Sequence, residues 1–171
     1  MNYKTTLRKL QNHDACEDRY DFFVEQTKIT DIDEEIPLKT ILEINGIKDA
    51  IWALRTIDNI EKKSRLFACD CAEHVAGKFP DKKETLLVII SVARRYANGN
   101  ATGEELRAAW SAACSAAWST VLSAAGSAAW SAAGSAADSA AVSAVLSAAE
   151  SSADSAEYEY QHKLFNKYFC N

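Results

Sequence analysis

Several things are scarce in this 171-residue chain, and each scarcity excludes something. There are six glycines, scattered, and none forms the Gly-x-Gly-x-x-Gly or Walker pattern that cradles phosphates, nor a Gly-x-Ser-x-Gly elbow. There are two prolines, Pro37 and Pro80, so few positions forbid helix. Basic residues nearly vanish from the C-terminal part: residues 101–171 contain only Arg107, Lys163 and Lys167, and most of the net charge of -5 arises there. A phosphate-binding stripe needs clustered cations, so direct nucleic-acid binding is not expected. The start, Met1-Asn2-Tyr3-Lys4, lacks the apolar core of a signal peptide, and the five cysteines are not spaced as a secreted disulfide framework. A reducing cytoplasm is the expected location.

What replaces these residues is alanine and serine. From Ser111 to Ser155 a serine stands at every fourth position, with alanine at most positions between. Alanine is the best helix former and a poor strand former, so the run predicts helix. Thirty uncharged residues separate Arg107 from Asp138. Alanine contributes little to bilayer insertion and repeated hydroxyls oppose it, so a membrane span is not expected. Four residues advance a helix by about 400°, and the serine row drifts around the axis by roughly 40° per repeat. The serines therefore act as small spacers rather than as one polar face. Trp110, Trp118 and Trp130, with Leu122, Val142 and Leu146, punctuate the surface. One unbroken helix from Gly103 to Phe169 would extend about 100 Å, so a break near Gly126 or Gly134 is expected, folding the run into a hairpin.

The first hundred residues read as shorter helices. Leu7, Leu10, Phe22 and Phe23 anchor an N-terminal helix over Thr5–Gln26, and an acidic connector closes at Pro37. Leu38, Ile41, Leu42 and Ile44 form a short element ended by Asn45-Gly46, and Asp49 opens a helix carrying Ile51, Trp52, Leu54 and Ile57. Ser64 is a candidate cap for a helix with Leu66, Phe67, Ala68, Ala72 and Val75. Asp81/Glu84 and Thr102/Glu105 have capping-box spacing. Leu86, Ile89, Ile90, Ala93 and Tyr96 fall on one face of a 3.6-residue period, with Asn98-Gly99 as the stop. The aromatic tail, Tyr158 to Phe169, is expected to pack back onto the N-terminal helices. These readings give an all-α single domain over 1–171: N-terminal helices (1–100), Ala/Ser repeat helices (101–157) and the tail (158–171).

Candidate chemistry is thin. Cys69-Asp70-Cys71 with His74 and Cys16 has zinc-ligand atoms, but residues i and i+2 of a helix lie about 200° apart. Only Cys71 and His74 share a face, and packing is the better account of these cysteines. Asp70 and Glu73 have acid/base spacing, yet a surface carboxylate pair is the better account of them. Arg94 and Arg95 beside Tyr96 could fork a phosphate or a partner's carboxylate, although a solvated helix edge with one salt bridge is the better account. The repeat serines lack a neighbouring base. Bulky tryptophans and the drifting serine row also spoil a flat ice-binding face.

Taken together, Ala15-Cys16 before Phe22-Phe23, Ile51-Trp52-Ala53-Leu54, Leu66 to Glu73, Ala93 to Gly99, the Ala-Ala-Trp repeats and the tail Glu157 to Phe165 with Gln161 resemble the Imm5-like immunity proteins of bacteria and phages. The resemblance spans nearly the whole chain. Its departure is serine and glycine where relatives carry arginine and alanine. It implies a small protein that neutralises a toxin or bacterial defence effector by binding, without catalytic residues or cofactors. The expected partner is a protein, and Arg94, Arg95, Trp110, Trp118 and Trp130 are the candidate contacts. Two alternatives stay open: a sponge for a nucleotide-like signalling molecule, using Arg94 and Arg95, and a structural or homo-oligomer-forming module.

Overall fold

A computed structural model describes residues 3–78, 80, 83–116 and 155–171. The Ala/Ser run between 117 and 154, and with it Trp118, Trp130 and the expected hairpin break, lies outside the described residues, as does Asp81. The fold is all-α, with only a two-residue antiparallel pair of strands, β1 (Lys4–Thr5) and β2 (Ile36–Pro37), among the described residues. Two compact units divide the chain: Met1–Ile60 together with Tyr160–Asn171, and Glu61–Glu159.

In the first unit the expected N-terminal helix is two helices, α1 (Leu7–Asn12) and α2 (Glu17–Thr27). Asp14 adopts φ 59 between them, a left-handed conformation that helix cannot continue through. The break turns α2, so that Phe23 is buried while Phe22, expected as an anchor, is 40% exposed beneath Arg19. α3 (Leu38–Asn45) and α4 (Ile47–Ala53) follow, meeting at Gly46, whose φ of 85 serves as both stop and start. Arg19 ties this corner, donating to Asp49 Oδ2 at 2.8 Å and to the orphan helix-end carbonyl of Asn45 at 2.6 Å.

Thr5 and Thr56 share a buried hydroxyl contact of 2.6 Å. The single proton of Thr56 goes to the Ala53 carbonyl, so Thr5 is the donor between them. The tail does return to the N-terminal helices. Phe165 and Phe169 are fully buried, Tyr3 meets Phe169 edge-on, and the Tyr3 amide donates to the Phe169 carbonyl.

The second unit is built on α5 (Glu61–Ala76), α6 (Lys83–Ala97) and α7 (Gly103–Ala116), with the first turn of α8 (Ser155–Phe165). Its core joins Cys69, Ala72, Val75 and Ala76 of α5 to Leu86, Ile89, Ile90 and Ala93 of α6 and Leu106 of α7. Burying each Leu or Ile side chain contributes roughly 1.5–3 kcal/mol. Alanine at positions 72, 76 and 93 lets the helices approach closely. Ser64 does not cap α5. The helix begins three residues earlier at Glu61, and Ser64 is buried within it. The Thr102/Glu105 box forms as expected: Glu105 N–H donates to Thr102 Oγ1 at 3.1 Å, and Thr102 N–H to Glu105 Oε2 at 2.6 Å. No described helix is long and apolar enough to cross a membrane.

Candidate functional site

The Cys-Asp-Cys-Ala-Glu-His segment of α5 is divided by helical geometry into three roles. Cys69 and Ala72 enter the core with α6. Asp70 and Glu73, three apart on one face, both receive Arg94 of α6, Asp70 Oδ1 lying 2.5 Å from Nη1 and Glu73 Oε2 meeting Nη2. Burial opposes the Arg94 charge, but the hydrogen bond and charge of Asp70, with lesser help from its other neighbours, outweigh it and hold the guanidinium above its ordinary range. Arg94 therefore clamps α6 to α5, and its fork is filled by protein carboxylates.

His74 serves the third role. Its Nδ1 lies 2.6 Å from Oε2 of Glu157 in α8, and Lys78 Nζ approaches the same oxygen at 3.2 Å. The Glu157 side chain is 0% exposed, so the Lys78 ammonium and the His74 ring nitrogen supply polar partners to a carboxylate removed from water. No signal local to α5 announces this partnership across 83 positions. The only hint is that Glu157 and Gln161 stand four apart on one helical face, and both are fully buried.

The cysteines are inert in this setting. Desolvation pushes the Cys69 thiol up to about 12, with Arg94 pulling against it, and raises Cys71 well above its usual range, with Glu157 adding to the rise. Neutral buried thiols are poor nucleophiles and poor metal ligands. Cys71 and His74 acquire no third ligand: no group of three His, Cys, Asp or Glu side chains able to hold a metal ion occurs among the described residues. Cys16 is exposed at the start of α2, remote in sequence from both.

Arg95 points the other way. It is exposed, reaching Glu105 at 3.3 Å and the Asn100 carbonyl at 3.2 Å, at one end of an open groove of about 710 Å³. Pro80 and Lys83 stand in the wall with Glu84, Leu87, Val88, Ser91 and Val92. Positions 84, 87, 88, 91, 92 and 95 recur at helical spacing, giving α6 a second face beside its core stripe. Val88 is 57% exposed, the most open of the large apolar side chains among the described residues. Leu87 and Val92 are half-sunk against the core, so the groove floor is aliphatic while its ends carry Lys83, Glu84 and Arg95. The sequence held a signal for this face in Leu87, Val88 and Val92, three apolar residues outside the core periodicity. Of the tryptophans expected to make contacts, Trp110 lies on α7.

No family model, curated protein or solved structure matches this chain.

Proposed function

We propose that this chain is a non-catalytic binding protein that neutralises a toxin or bacterial defence effector by engaging a protein surface. The observation that carries the reading is the second face of α6, an aliphatic groove edged by Lys83, Glu84 and Arg95 and centred on exposed Val88. An apolar centre with a charged rim is the anatomy of a protein-binding patch. The resemblance to the Imm5-like immunity proteins points to the same class of activity. The nucleotide-sponge alternative is weakened at its proposed contacts. Arg94 is committed to Asp70 and Glu73, leaving Arg95 as the outward member of the pair.

Comparing captures by wild type and Val88→Asp tests the proposal. Wild type is expected to retain one dominant effector from host lysate, and the purified effector to lose activity when the protein is added. Val88→Asp should weaken that binding at least tenfold, because a buried interface would have to desolvate the new carboxylate. Unchanged melting would show that the variant still folds, since Val88 contributes little to the core. Equal binding by both proteins, or an effector that stays active when bound, would overturn the reading.

A further inference from the structure

We draw no further inference here: the strongest candidate, the open aliphatic groove along α6 between Lys83 and Arg95, belongs to the site already described, and its rim charges of both signs leave nothing in the structure to show what covers it.

Discussion

Single residues in the second unit carry unequal weight, and Arg94 carries more than its neighbour. Its guanidinium satisfies two carboxylates of α5, one of them with a side chain only 18% exposed. Arg94→Ala removes the guanidinium that both acids share, and a loss of about 1–3 kcal/mol in urea denaturation is expected. Arg95→Ala, removing an exposed contact to Glu105, should cost less than about 0.5 kcal/mol. Equal losses for the two variants would show that Arg94 is not the clamp.

The thiols give a residue-scale prediction of opposite pH sense to the usual carboxylate. The folded state holds Cys69 at about 12, above its ordinary 9.0, so folding favours the neutral form. That preference leaves stability flat below pH 9. As pH rises from 9 toward 12 the unfolded chain ionises first, and stability falls by up to about 1.4 kcal/mol per pH unit. Urea midpoints between pH 8 and 10.5 should fall faster for wild type than for Cys69→Ala. Timed alkylation followed by peptide mapping should label exposed Cys16 promptly, and Cys69 and Cys71 only on unfolding.

Among the elements, the junction between α6 and α7 is the most completely specified. Gly99 takes φ 76, its amide donates to the Tyr96 carbonyl, and the Asn100 amide closes on the Arg95 carbonyl at 2.8 Å. A Cβ at Gly99 would meet nothing within 4 Å, so the cost of Gly99→Ala is purely backbone conformation. A loss of about 1 kcal/mol is expected, and a smaller one for Gly99→Asn because asparagine tolerates the left-handed region. Thermal melts of the two variants decide this, and a loss as large for asparagine as for alanine would contradict it. Two residues later the reciprocal Thr102/Glu105 bonds start α7. Here the backbone hydrogen bond at Thr102, followed by lesser contributions including the Arg95 charge, holds the Glu105 carboxyl below its usual range.

At the scale of the whole molecule, Glu157 fastens the start of α8 within the second unit. A carboxylate with no exposure is held by His74 of α5 and by Lys78 in the turn that follows it, so the start of α8 is fixed by polar contacts as well as by apolar area. Glu157→Gln keeps the shape but removes the carboxylate that Lys78 and His74 both approach. A loss of about 1–3 kcal/mol is expected in thermal or urea unfolding. A neutral effect would mean that the Glu157 carboxylate does not hold the start of α8 in place.

Local chemistry determined much of this protein before any tertiary contact formed. The 3.6-residue period placed Leu86, Ile89, Ile90 and Ala93 on one face of α6, and Thr102/Glu105 and Gly99 marked helix boundaries through bonds that span only a few residues. Those signals are readable because their partners are sequence neighbours. The site was less readable. Spacing put Asp70 and Glu73 together, but only the packing of α5 on α6 supplied Arg94 and turned a free-looking fork into a clamp. The aliphatic groove, likewise, exists because the core claims one face of α6 and leaves Val88 outside it. The partnership of His74 with Glu157 across 83 positions belongs wholly to the tertiary structure, since helix periodicity says which residues share a face but not what that face will meet.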